Sequence, residues 1–196
     1  MRLAGVSVSL ALLVLLAVLP FKGRPVSGHI DRYVQEACRV TRYQDICIRS
    51  LAPFSNSARR SPSWWARAGV SVALKEVKAV AQYLEKSKRD GQMHGRRQRM
   101  ALSDCTECFQ DSIDNLHRCL GILRDLTEKG QLGSEINDLI TWMSAALTNE
   151  DTCLDGFEGQ KAKQVKLIRQ KVLGVTYLTS NALALANKLA NTMNPN

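Results

Sequence analysis

Six cysteines and three histidines are the residues of this 196-residue chain best suited to chemistry. Cys105-Thr106-Glu107-Cys108 is a C-x-x-C, a spacing that at a helix N-terminus lowers a thiol pKa and supports thiol–disulfide exchange. That chemistry is usually set where a strand runs into a helix, whereas here a basic stretch precedes a long helical pattern. A zinc set of Cys105, Cys108, His117 and Cys119 would lie along one helix, spread over about 20 Å, too far for one tetrahedral ion. A di-metal bundle needs Glu-x-x-His pairs, and the chain offers only Asp114 with His117. His29, His94 and His117 stand in unrelated settings, so there is no nucleophile, base and orienting group in company. No glycine loop is spaced to cradle a phosphate. The residues read as no enzyme, and they call for no metal and no cofactor.

The cysteines are better understood through the elements that carry them. Leu102, Cys105, Phe109, Ser112, Leu116, Cys119, Leu123 and Leu126 recur at alternating steps of three and four, which keeps one stripe on one side of a long helix. Such a stave requires partners at a shallow crossing angle. Ser61 and Pro62 suit an N-cap and first helical position, and open a helix to about Lys88 with Val70, Leu74, Val77, Ala81 and Leu84 inward. Trp64 and Trp65, in its first turn, read as a lid over the bundle end. After a turn at Lys129–Gly133, Ser134 caps a third helix with Ile136, Ile140, Met143 and Leu147 inward and Leu154 continuing past Glu150. A fourth, from about Ala162 to Ala190, carries Val165, Ile168, Val172, Val175, Ala182, Ala186 and Leu189. Short links make neighbours antiparallel, so the expected class is all-α, an antiparallel up-down four-helix bundle.

Ahead of it, Ile30, Val34 and Ala37 share one apolar face and Ile46, Ile48 and Leu51 another. On one straight helix Cys38 and Cys47 would be about 13.5 Å apart, too far to bond. The segment therefore reads as a short helical hairpin closed by Cys38–Cys47. Residues 52–63 read as a breaker-rich link. Antiparallel neighbours put Cys105, at the start of the second bundle helix, beside Cys153 at the end of the third, which gives a second disulfide, Cys105–Cys153. Cys108 and Cys119 remain as free thiols, about 16 Å apart on one helix. Cys119 is on the inward stripe; Cys108, on a flank, is the more reactive of the two.

Residues 1–28 have the layout of a secretory signal peptide: Arg2, the apolar run Leu3–Leu19, then small and polar residues to Gly28. The expected division is signal peptide 1–28, hairpin extension 29–58 and bundle 59–193. Without the leader, 168 residues remain with 24 basic and 18 acidic side chains, net +6. Secretion agrees with disulfides and implies no membrane contact after cleavage. The cluster Lys86–Arg99 reads as a solvated basic loop with an anionic extracellular polymer as its alternative partner. It lacks the aromatic residues that stack bases, so no nucleic-acid partner is expected.

Three blocks then carry a resemblance. Ala66-Arg67-Ala68-Gly69-Val70-Ser71-Val72-Ala73-Leu74 is similar to the "ARAAVSVAL" of the plant invertase/pectin methylesterase inhibitor family. Ala101-Leu102-Ser103-Asp104-Cys105, with Phe109, Asp111, Asp114 and Leu116, resembles that family's second block. Trp142-Met143-Ser144-Ala145-Ala146-Leu147-Thr148, with Thr152-Cys153 and Asp155-Gly156-Phe157, resembles its third. The resemblance implies a non-catalytic inhibitor of the apoplast and cell wall. The family's invertase inhibitors commonly carry Pro-Lys-Phe, which this chain lacks. That favours the pectin methylesterase inhibitor branch, capping the enzyme's substrate cleft in a 1:1 complex. Inhibition of cell-wall or vacuolar invertase is the alternative, as is a non-inhibitory wall module holding pectin weakly through Lys86–Arg99. By position relative to the cysteines, the resemblance implies Asp111, Asp114, Thr152 and Asp155 as partner-binding residues. Cys108 and Cys119 are additional to the family's four-cysteine pattern.

Overall fold

The computed structural model describes residues 31–129 and 134–193. The expected signal peptide at 1–28, Ile30, residues 130–133 of the expected turn and the Ser134 side chain lie outside that description. The described elements are α1 (Arg32–Cys38), α2 (Gln44–Leu51), a 3-10 turn (Ala52–Phe54), α3 (Ser55–Ala58), α4 (Pro62–Arg89), α5 (Arg96–Lys129), α6 (Ser134–Gly156) and α7 (Lys163–Met193). The last four are the bundle. Each packs on its neighbours in sequence and α4 packs on α7, which closes an up-down ring.

Local chemistry accounts for the helix ends. The Ser61 hydroxyl accepts the Trp64 amide hydrogen bond, and Pro62 occupies the first helical position. At its other end α4 carries Lys86, Lys88 and Arg89 in the last turn, where cations meet the negative end of the helix dipole. Gly91 follows with φ +62°, a conformation glycine adopts without steric cost. The expected loop at Lys86–Arg99 is therefore much shorter. Lys86–Arg89 finish α4, Arg96–Arg99 begin α5, and only Asp90–Gly95 link them. The breaker-rich link is likewise mostly helical turns, and the backbone departs from helix only after Ala58, where Arg59 takes φ 42°.

The α5–α6 seam has a simple register. Cys105 bonds Cys153 with Cα atoms 4.3 Å apart. Ser112 Oγ donates to the Ala146 carbonyl at 3.1 Å, and Cys119 Sγ to the Leu139 carbonyl at 3.7 Å. Each advance of seven residues along α5 meets a retreat of seven along α6, the repeat of left-handed antiparallel packing. This fixes the rotation of α6. Its buried stripe is Ile136, Leu139, Met143, Ala146, Glu150 and Cys153, and Phe157 continues it just past the helix end. Ile140 and Leu154 are only partly buried at its flank, as is Leu147, so the expected stripe is displaced and Glu150 falls inside the core.

On the opposite seam Gly69 lets α4 approach α7 closely: a Cβ there would meet Leu185 Cδ1 at 3.1 Å and Ala182 Cα at 3.3 Å. The hairpin docks on α4 and α7. Its disulfide joins Cys38 and Cys47 with Cα atoms 5.8 Å apart. The buried Asn181 side chain brackets Tyr43, accepting from its amide at 3.2 Å and donating to its carbonyl at 3.0 Å. The two tryptophans separate. Trp65 is buried and donates through Nε1 to the Arg59 carbonyl at 2.8 Å, whereas Trp64 is exposed beside the Arg67 guanidinium.

Candidate partner-binding face

Because the Cys105–Cys153 bond marks where α5 and α6 face each other, their outward residues can be placed from it. Asp111, Asp114, Thr152 and Asp155 are all exposed. At about 100° per residue, Asp111 and Arg118 leave α5 on one side of the seam, and Trp142 and Thr152 leave α6 on that same side. The Arg118 guanidinium lies 4.3 Å from the Trp142 ring centroid across that groove. Asp111 and Thr152 thus share the outer groove, separated by about 7–8 Å along the axis. Asp114 points away from the seam on α5, and Asp155 falls on the far flank of α6. The fold brings two of the four into one groove and sets the other two on its opposite shoulders.

The side chains have distinct environments. Thr152 Oγ1 donates to the Thr148 carbonyl at 2.8 Å, which orients its methyl and hydroxyl on the helix surface. Asp155 stands one turn from Asp151, and partial burial followed by that neighbouring charge raises the Asp151 pKa. Arg118 and Trp142 were not singled out as a pair in the sequence, since only the cross-helix register brings them together. An arginine and a tryptophan in one groove are the residue types that most often anchor protein interfaces.

The C-x-x-C does not act as a unit, because Cys105 is bonded to Cys153 and Cys108 is free. Burial, then the nearby Asp111 and Asp104, push the Cys108 thiol up. Burial pushes the Cys119 thiol up to about 12. Cys108 is the more accessible of the two, but neither has the electropositive setting of an activated thiol. No cluster that could hold a metal ion occurs among the described residues, and no described helix is long and apolar enough to cross a membrane.

One group was missed in the sequence. Glu150 is fully buried on α6; its Oε1 accepts from Thr179 Oγ1 of α7 at 2.7 Å, and Oε2 has no partner among the described residues. Desolvation pushes its pKa up to about 8, with Asp151 adding to it, against the stabilising hydroxyls of Thr179 and, more weakly, Thr176.

The fold is that of a helical bundle tied by one disulfide, with a disulfide-closed hairpin docked on it. The sequence profile of the plant invertase/pectin methylesterase inhibitor family matches residues 32–185, and the chain belongs to that family. It is 48% identical over 160 residues to pectinesterase inhibitor 6 of Arabidopsis thaliana, covering 81% of this chain and 76% of that one. It is 35% identical over 162 residues to pectinesterase inhibitor 10 of the same plant, covering 82% of this chain and 52% of that one. The crystal structure of a mutant form of a pectin methylesterase inhibitor from Arabidopsis superposes with TM-score 0.61 at 20% identity, over 76% of this chain and 92% of that one. Pectinesterase 1 of Citrus sinensis is 30% identical over 162 residues, covering 81% of this chain but 28% of that enzyme.

Proposed function

We propose that this chain is a secreted inhibitor of pectin methylesterase, which seats the outer α5–α6 groove over the enzyme's substrate cleft in a 1:1 complex in the cell wall. The observation that carries this reading is the 48% identity to pectinesterase inhibitor 6 across most of both chains. The absence of Pro-Lys-Phe supports the esterase target over cell-wall or vacuolar invertase. Asp111 and Thr152 in the groove, with Asp114 and Asp155 on its shoulders, are the polar contacts. Arg118 and Trp142 supply the anchor.

The mechanism is steric. A rigid seam, fixed by one disulfide and two further cross-helix contacts, presents these side chains with little ordering cost on association. Titration of a plant pectin methylesterase with the protein in a calorimeter should saturate at one inhibitor per enzyme. Replacing Asp111 and Thr152 together by Arg should weaken the complex by roughly a hundredfold. Unchanged affinity in that variant would remove the groove from the interface. The secondary partner is pectin itself, held weakly and in a salt-dependent way by the cations of Lys86–Arg99.

A further inference from the structure

At the end of the bundle where α4 hands over to α5, the short link and both helix ends line an open pocket of about 300 Å³. Its walls combine three kinds of group. Met93, which is 3% exposed, Leu102 and Met100 supply thioether and aliphatic surface. Lys88, Arg96 and Arg99 bring three cations to it, and no Asp or Glu is among its lining residues. Ser87 completes the wall: it is 1% exposed, and its Oγ has no hydrogen-bond partner among the described residues.

Two of the cations are held in place. Lys88 Nζ donates to Ser103 Oγ at 3.1 Å, and Arg99 Nη1 donates to the His94 carbonyl at 2.7 Å. Each bond uses one donor of three on lysine or five on arginine, so spare donors remain. The nearest acid on the link, Asp90, is engaged by Lys86 at 2.7 Å, and that bond lowers its pKa. Held cations with spare donors beside an apolar wall fit a ligand with one anionic head and an apolar body. Three cations alone would suit any polyanion. The apolar wall selects against a strongly hydrated sugar acid, whose hydroxyls would face Met93, Met100 and Leu102 without partners.

We propose that this pocket is a binding site for a small amphiphilic monocarboxylate, its carboxylate held by Lys88, Arg96 and Arg99 with Ser87 and its chain lying on Met93, Met100 and Leu102. The volume, roughly ten waters' worth, suits a medium-chain fatty acid. The site lies where α4 hands over to α5 and does not depend on the identity of the inhibited enzyme.

The test uses the full disulfide-bonded protein with decanoate below its micelle concentration, decanol as the neutral isostere and trigalacturonate as the polar acid. Binding is followed by amide chemical shifts and by calorimetry. Decanoate should bind, shifting amides of residues 87–103, and decanol should bind at least roughly tenfold more weakly. The Lys88→Gln, Arg96→Gln double variant should lose decanoate affinity by about tenfold or more while decanol affinity stays the same. Met100→Glu, at an exposed rim position, should also expel decanoate without disturbing the fold. Equal binding of decanoate and decanol, trigalacturonate binding more tightly than decanoate at these residues, or no shift with decanoate would each overturn the proposal.

Discussion

Thr179 on α7 donates its hydroxyl to Glu150 on α6 across 2.7 Å, and both side chains are 0% exposed. A carboxylate with one oxygen satisfied and the other without a described partner costs far more ionised than neutral, and its pKa is pushed from 4.5 up to about 8. The folded state therefore holds the proton more tightly than the unfolded chain does. The stability this contributes is complete below the unfolded value of 4.5 and is lost progressively as pH rises to about 8. Urea unfolding should show a decline of the order of a few kcal/mol between pH 5 and pH 8. Glu150→Gln, neutral at every pH, should flatten that decline and be the more stable protein at pH 8. An unchanged slope in the variant would place the titration elsewhere.

The hairpin should depend on Asn181. Its amide satisfies both the N–H and the carbonyl of Tyr43, and no backbone ladder could replace it at that junction. Asn181→Leu leaves two backbone groups unpaired at a partly buried contact, which should cost about 1–3 kcal/mol. Amide exchange around Tyr43 should accelerate by more than exchange in α5. Equal acceleration in both would mean that the hairpin and bundle open as one unit.

The thiols should separate cleanly. Cys119 is buried, with its pKa near 12, so a disulfide-exchange reagent should reach it only in denaturant. Cys108 should label in the native protein, but slowly near neutral pH, because burial, Asp111 and Asp104 all disfavour its thiolate. Replacing Asp104 and Asp111 by Asn should speed that labelling. If it does not, burial alone controls the rate.

The four staves were legible because apolar steps of three and four persist through each of them, and the Cys105–Cys153 pairing followed from their antiparallel order. The rotation of α6 differs from the one its hydropathy suggests. Ile140, Leu147 and Leu154 outweigh Ala146 and Glu150 on any hydropathy reading, yet stepping back by threes and fours from Cys153 leads through Glu150 and Ala146. The disulfide sets the rotation, and the greasier residues cover the flank. Charge and glycines alone make Lys86–Arg99 look like a loop, but lysine and arginine are good helix formers and extend both α4 and α5 into the cluster. The proposed groove is only half legible: motif position proposes Asp111 and Thr152, while the Arg118–Trp142 contact needs a register that no single helix contains.

The most direct test of the central claim is methanol release from pectin by a plant pectin methylesterase, with sucrose cleavage by a plant invertase run in parallel. Added protein should slow methanol release in proportion to its molar ratio to enzyme and leave the invertase untouched. Arg118→Ala and Trp142→Ala should each weaken that inhibition by roughly tenfold or more, while Lys88→Gln should leave it intact. Undiminished methanol release with clear inhibition of invertase would contradict the account.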